Sequence, residues 1–450
     1  MSKSGGIGRR RVAALATASL LSGCASVPMV DGVTARLIGL REPPARPKPP
    51  HPEDDQDALQ QQYNLQRALS ASPIVFGNAI SLLNGGEAAF RAMFQAIRAA
   101  RDSLNMEYFI FDDVVCDGVS LQDVLLDRLV AGVRVNISYD AFGSRGTPDA
   151  FFDTLRKAGA KVNTFNPLDP LAAKAGWSPN DRDHRKIMVV DGRIGFTGGV
   201  NLDKVYENPP SAGVPDGDSS RAYWRDVAVR IEGPAVAELQ KLFFGTWREQ
   251  KAPAADPATY FPPLSRKGVQ TVRIIGSSPG QRQPLYYASL MAAVKSARRR
   301  IWLSSGYFVP PHDERKQLAA AARRGIDVRI VAPAFSDVES AVYAARASYG
   351  DLLEAGVHIY EMHDAVLHSK LAVVDDTWTA VGSSNLDRRS VVFNNEVDAI
   401  ILGHDTAGQV EAVLQQYMAA ARPVLLSKWR HRSVGERINE LEARVWQYWM

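Results

Sequence analysis

Cysteine is scarce in this chain. Its 450 residues include two, Cys24 and Cys116, too few for a disulfide framework. An excess of one charge is also missing. The 53 Lys and Arg against 49 Asp and Glu leave a formal net charge of +4. A nucleic-acid binder concentrates basic residues on one face, and no such stripe runs through this sequence, so nucleic acid is not expected as a partner. Long hydrophobic runs are lacking too. The most apolar run, Val12 to Leu21, is well short of the roughly 20 residues a membrane-spanning helix needs. No later segment is apolar enough to cross a bilayer. What is present is an ordinary globular composition, 46% hydrophobic and 23% charged, sufficient for a sizeable core.

Arg9, Arg10 and Arg11 precede the short apolar run. Together they have the proportions of a signal peptide over residues 1–23. The run ends in LSGC, Leu21 to Cys24, which resembles the lipobox of bacterial lipoproteins. There the cysteine is lipidated and becomes the mature N-terminus. The expectation is a body tethered by lipid at Cys24, outside the cytoplasm and against a membrane surface. Ala25, where an Asp is absent, resembles an outer-membrane address in a two-membrane bacterium. Cys116 is then a lone thiol, expected to be buried as a small hydrophobe. Residues 24–73 read as a leader. Its REPPARPKPPHP stretch, Arg41 to Pro52, is stiff and extended, and a short polar helix is expected around Asp55–Leu69.

From Ile74 the chain reads twice. Phe90, Met93, Phe94 and Ile97 recur at helical spacing. They are followed by strand-like LNMEYFIF, AGVRVNISYD and RKAGAKVNTF, and then by HRKIMVVD. The second half repeats the order with IWLSSGYFV, RGIDVRIVAP, EAGVHIYEM and HSKLAVVD. Strands alternating with helices predict an α/β fold with mixed sheets covered on both faces. The expected architecture is two pseudo-symmetric α-β-α sandwich lobes, residues 74–255 and 265–430, with the active site at their interface. The joint falls in Lys251–Gly268, and residues 431–450 form a basic and aromatic tail.

The two halves align by counting. Asn201 lies 17 residues after His184, and Asn385 lies 17 after His368. Lys186 then matches Lys370, Asp191 matches Asp375, and Gly198 matches Gly382. One such spacing is a weak pattern, whereas two in register are a strong one. Residues two apart on a strand share a face, so each His projects with its Lys. Two imidazoles and two ammonium groups in one cleft suit a phosphodiester. One histidine attacks phosphorus, and the other protonates the leaving alkoxide and later deprotonates the incoming hydroxyl. Lys186 and Lys370 stabilise charge on the non-bridging oxygens, with Asn201 and Asn385 as further donors. This chemistry needs neither cofactor nor metal.

Histidines in such roles take an orienting carboxylate on the other ring nitrogen. Symmetry within each half pairs Asp226 with His184 and Glu396 with His368. Asp191 and Asp375 fall seven residues after their histidines, an odd offset that turns them away to brace the following turn.

These residues resemble the twin HKD motifs of the phospholipase D superfamily, over roughly Ile74 to Trp429. Within it the likeness is to bacterial cardiolipin synthases, through FGNAISLLNGGEAAF, GVRVNISYDAFGS, WRDVAVRIEGPAV, LHSKLAVVD and GSSNLDRRS. The resemblance implies a catalytic set of His184, Lys186, Asp191, His368, Lys370 and Asp375. It makes His184 the nucleophile and His368 the acid, an order the symmetric sequence does not itself assign. It implies a phosphatidyltransferase making cardiolipin from phosphatidylglycerol or a mixed phospholipid pair. The alternative is a phospholipase D that admits water, with a nuclease or a non-catalytic lipid-binding lipoprotein behind it.

The sequence departs from the family in three ways. Synthases of one common type carry two N-terminal membrane helices where this chain has a lipobox. Gly198 and Gly199 follow the first motif, where the second has GSS. Tyr206–Ser220 is extra in the first half and is expected to form a cleft rim or lid. Two further groups are candidates for lipid contact. Arg388 and Arg389 can bind a headgroup phosphate. The cluster Lys428–Arg432, with Trp446, Tyr448 and Trp449, can meet an anionic interface.

Overall fold

The computed structural model describes residues 52–69, 72–169, 178, 180–215, 218–281, 284–433 and 435. The signal-like segment, Cys24, the Pro-rich spacer up to residue 51, and Trp446, Tyr448 and Trp449 lie outside these residues. Two seven-strand orders run in parallel through the two halves. The first is Val75–Asn84, Val227–Glu232, Ile194–Gly198, Lys186–Val190, Ser103–Tyr108, Arg134–Asp140, Lys161–Phe165. The second is Gln270–Ser277, Asn394–Leu402, Trp378–Gly382, Leu371–Val374, Arg300–Ser304, Asp327–Pro333, His358–Met362. Each mixes antiparallel pairs with parallel ones. The first strands of the two halves pair antiparallel, Val75 opposite Val272, so the halves share one continuous sheet. This is the mixed, internally repeated α/β architecture the sequence predicts.

The helices form because their apolar residues fall on one stripe. Gly86–Ala99 buries Phe90, Met93, Phe94 and Ile97 against the first sheet. Leu285–Ser296 differs: it is apolar almost all round and buried on nearly every side, with Leu290, Met291 and Val294 in the core of the second half and Ser289 and Ser296 covered by the helix Pro52–Ala68. A third cluster joins the halves. Ile187 and Val189 of one motif strand and Leu371 and Val373 of the other pack with Val236, Leu239, Val410 and Val413 from the helices Val236–Glu249 and His404–Ala420. The motif strands are thus covered on both faces, which is why they read as unbroken apolar runs.

The polar helix is present as Pro52–Ala68. It packs on the second half rather than standing off as part of a spacer. Gln62 Nε2 donates to Ser296 Oγ at 2.9 Å, and Ser289 Oγ donates to Gln66 Oε1 at 2.6 Å. Cys116 is buried, as expected.

Candidate active site

Each motif strand ends in a two-residue turn with left-handed backbone. Asp191 and Gly192 have φ of 51° and 62°, and Asp375 and Asp376 have 50° and 57°. Such turns match the twist of the hairpins they close, and Asp tolerates them. The Asp191 carboxylate accepts backbone N–H groups of Arg101, Asp102 and Ser103 at 2.8–3.2 Å. Asp375 accepts those of Arg298, Arg299 and Arg300 at 2.6–3.0 Å. Both sit at the far ends of their strands from the histidines. The catalytic set implied by the motif is corrected here: Asp191 and Asp375 clamp the turn to the neighbouring strand and do not line the cleft.

The other ends of the two strands meet. Arg182–Asp183 pairs in parallel with the second half, Asn394 opposite Arg182 and Asn395 opposite Asp183. Trp224–Arg225 pairs in parallel with Val366–Leu367. His184 N donates to Asn395 O, and His368 N donates to Arg225 O, each at 2.9 Å. This register carries Glu396 beside His184 and Asp226 beside His368. His184 Nδ1 lies 2.9 Å from Glu396 Oε2, and His368 Nδ1 lies 2.7 Å from Asp226 Oδ2. The pairing expected from symmetry is therefore reversed: each histidine takes its carboxylate from the opposite lobe. With Nδ1 occupied on both rings, Nε2 is the nitrogen left for substrate.

Lys186 and Lys370 are buried beside their histidines. Lys186 Nζ donates to His184 O at 2.7 Å, and Lys370 Nζ donates to His368 O. Each ammonium keeps further N–H groups for a ligand. Asn201 Oδ1 accepts from Ile110 N at 3.3 Å and Asn385 Oδ1 from Tyr307 N at 3.2 Å. Those contacts fix which way the amides point and leave their NH2 groups as donors. Phe109 packs edge-on to His184 at 5.2 Å, while Trp224 and Tyr307 flank His368 at 5.2 and 6.3 Å.

Burial sets the protonation states. It lowers Lys186 to about 7 and Lys370 to about 8, with Asp226 and Glu396 pulling the other way. An anionic phosphodiester restores the ammonium charge, since an adjacent negative charge favours the charged form. Burial, and then the two lysines, push the His184 imidazole well below its usual range. Burial also lowers His368, but Asp226 opposes the shift. Burial raises Glu396 to about 7. For Asp226, burial acts upward, yet the charges of His368 and Lys370 and the Tyr206 hydroxyl hold it below the usual carboxylate range. His368 thus faces a carboxylate held ionised, and His184 one that burial shifts towards its neutral form.

Two departures in the sequence now have physical reasons. A Cβ at Gly199 would collide with Asp226 Oδ1, so the first half cannot carry the serine of the second. Ser383 at the matching place donates to Glu396 Oε2 at 2.5 Å, and Asn394 Nδ2 donates to Oε1 at 3.1 Å. The first half supplies its donor from the extra segment instead. Tyr206 is buried, donates to Asp226 Oδ2 at 2.7 Å and lies 3.0 Å from His368 Nδ1. The expected rim therefore begins inside the site. Tyr206 was not legible from spacing, because it has no counterpart in the repeat; Ser383 was in plain view within GSSN. At the C-terminal end, Trp429 packs 5.2 Å from Tyr349, and Arg432 stacks on it at 4.4 Å. Much of its ring is thus engaged within the protein.

A family profile described as "Cardiolipin synthase, PLD-like domain" matches residues 290–418. Cardiolipin synthase of Geobacillus thermodenitrificans is 33% identical over 387 residues, covering 85% of this chain and 74% of that protein. Cardiolipin synthase A of Pseudomonas aeruginosa is 35% identical over 380 residues, covering 84% and 74%. The crystal structure of phosphatidylserine synthase from Haemophilus influenzae shares the fold. It superposes with a TM-score of 0.61 at 12% identity over 86% of this chain and 98% of its own. The chain belongs to the phospholipase D superfamily, together with these cardiolipin synthases. It is an enzyme, a phosphatidyltransferase of that family.

Proposed function

We propose that this enzyme makes cardiolipin from two phosphatidylglycerol molecules, or from a mixed phospholipid pair, through a phosphohistidine and without a metal. The observation that carries the reading is the pair of crossed His–carboxylate contacts with unequal carboxylates. His184, held neutral, attacks phosphorus through Nε2. The bond from phosphorus to the headgroup oxygen breaks, and His368 Nε2 gives its proton to that oxygen, releasing glycerol. The acceptor hydroxyl then gives its proton back to His368. Its oxygen bonds phosphorus as the His184–phosphorus bond breaks. In this reading Lys186, Lys370 and the amides of Asn201 and Asn385 balance charge on the non-bridging oxygens.

One phosphodiester replaces another, so the exchange is near isoenergetic and needs no nucleotide. That suits a body tethered outside the cytoplasm through lipid on Cys24, which is part of the proposal. Among the described residues no helix is long and apolar enough to cross a membrane. Radiolabelled fatty acid incorporated by the wild type and not by Cys24→Ala checks the anchor.

The test of the reaction uses phosphatidylglycerol vesicles, EDTA and protein lacking residues 1–23 and the anchor. Products are followed by mass. Cardiolipin and glycerol are expected, and both disappear in His184→Ala and His368→Ala. Phosphatidic acid as the main product would make water the acceptor and the protein a phospholipase D. A His184→Ala protein that restored a deletion phenotype in full would remove the enzymatic reading.

A further inference from the structure

The exchange described above has a requirement that hydrolysis lacks. A phospholipid acceptor carries its own phosphodiester a glycerol's length from the hydroxyl that attacks. The site must therefore seat a second anion beside the first, and water as acceptor needs no such seat.

The candidate for that seat is Arg389. It lies on the short helix Arg388–Val392, directly after the second motif's Asn385. The helix is held by Asp387, whose side chain accepts from Ser390 N at 2.7 Å. Arg389 O accepts Phe393 N at 2.9 Å, and Phe393 O accepts Arg182 N at 3.0 Å. Two backbone hydrogen bonds thus tie Arg389 to Arg182, two residues before His184. Its guanidinium crosses to the first lobe, where Nη2 donates to Asn180 O at 3.1 Å. Among the described residues this is its only side-chain hydrogen bond, and it makes no ion pair. The residue is half-buried.

The surrounding charges leave room for an anion. Arg182 is buried nearby, 3.8 Å from Asp140 Oδ2. Asp140 is already engaged by the backbone N–H groups of Phe142, Gly143 and Asp183 at 2.8–2.9 Å. Asp387 accepts from Ser390 N and is also the strongest opposing charge felt by Arg389. Arg389 is one of the cations that lower the basicity of His184, after burial, the two lysines and His368. The carboxylates of Asp387, Asp140, Asp181 and Glu396 act on Arg389 through space, with no close ion pair among the described residues, and a guanidinium with donors to spare suits phosphate oxygens.

We propose that Arg389, backed by Arg182, binds the phosphodiester of the acceptor phospholipid and selects an anionic acceptor over water or a neutral alcohol. The inference rests on the transferase reading given above.

The test compares three acceptors against one labelled phosphatidylglycerol donor: unlabelled phosphatidylglycerol, glycerol 1-phosphate and 1-butanol. Wild type, Arg389→Gln and Arg389→Lys are run in parallel, with thermal unfolding recorded for each. In R389Q the ratio of cardiolipin to phosphatidylbutanol is expected to fall about tenfold to hundredfold, the usual cost of a lost charge-assisted contact. The apparent KM for the lipid acceptor rises more than kcat falls, and R389K recovers part of the ratio. A parallel fall with glycerol 1-phosphate means that any phosphate-bearing alcohol uses the seat; a fall with the lipid alone means that the seat reads a membrane-borne phosphodiester. Equal losses with all three acceptors, or an unchanged ratio in a folded R389Q, would overturn the proposal. A wild-type protein that transfers to none of them fails the transferase reading itself, and the two failures are distinct.

Discussion

Asp226→Asn and Glu396→Gln separate the crossed arrangement from the uncrossed one. Asp226 Oδ2 lies 2.7 Å from His368 Nδ1, with the carboxylate fully buried. A buried hydrogen bond to a charged partner contributes about 1.5–3 kcal/mol. Coulomb attraction across about 4 Å at an effective dielectric of about 20 is worth about 4 kcal/mol. The amide keeps the shape and removes the charge. Transfer from phosphatidylglycerol is therefore expected to fall by about 30- to 1,000-fold, corresponding to about 2–4 kcal/mol. The Glu396→Gln variant loses less, since burial already shifts Glu396 towards its neutral form. Size alone does not distinguish the partners, but the leaving group does. A phosphatidyl ester of p-nitrophenol departs without needing a proton, so the acid becomes dispensable in the first step. The assay is the pre-steady-state burst of nitrophenolate, which reports formation of the covalent intermediate alone. D226N is expected to come within about fivefold of the wild-type burst rate, because only its acid is impaired. E396Q stays slow, because its nucleophile is impaired. The reverse pattern, rescue of E396Q and none of D226N, would return Asp226 to His184 and refute the reasoning.

Three further outcomes follow from the same geometry. Tyr206→Phe removes a donor to Asp226, so transfer falls by about three- to tenfold in rapid-quench assays, while the nitrophenolate burst keeps its rate. Asp191→Ala and Asp375→Ala each strip a set of backbone N–H groups of their acceptor. Each loses about 2–4 kcal/mol in urea unfolding, with burst amplitude following the folded fraction. Asp398 is fully buried beside Ser384, and burial raises its carboxyl to about 8. The folded state then keeps a proton that the unfolded chain releases near pH 4. Stability contributed by that proton is complete below about pH 4 and is lost as pH rises towards 8, with a slope approaching about 1.4 kcal/mol per unit. Asp398→Asn is expected to flatten this dependence between pH 5 and 8 in urea titrations.

The duplicated motif was legible because its causes are local. A strand covered on both faces must be apolar, as Ile187–Val190 and Leu371–Val374 are. A His and a Lys two apart must share a face, and both pairs do. A hairpin closed by a left-handed turn favours Asp, and Asp191 and Asp375 stand there with positive φ. Their odd offset from the histidines already told against a place in the cleft, whatever the motif implied. The repeat order of strands was readable for the same reason, since each half buries the same pattern of side chains.

Partner choice was not local. Two equivalent halves offer each histidine two carboxylates, and spacing within a half is silent between them. Only the parallel pairing of Arg182–Asp183 with Asn394–Asn395, and of Trp224–Arg225 with Val366–Leu367, crosses the assignment. Tyr206 reaches Asp226 from a segment without a repeat counterpart, Arg389 reaches Asn180 across the lobes, and the helix Pro52–Ala68 docks 223 and 234 positions away along the chain. Which residue types do the chemistry, and which strands carry them, follows from the chain's local pattern, because strand periodicity and turn conformation act over a few residues. The tertiary structure alone decided which residues meet, because that depends on the register between strands from opposite lobes, and a repeated sequence encodes both lobes alike.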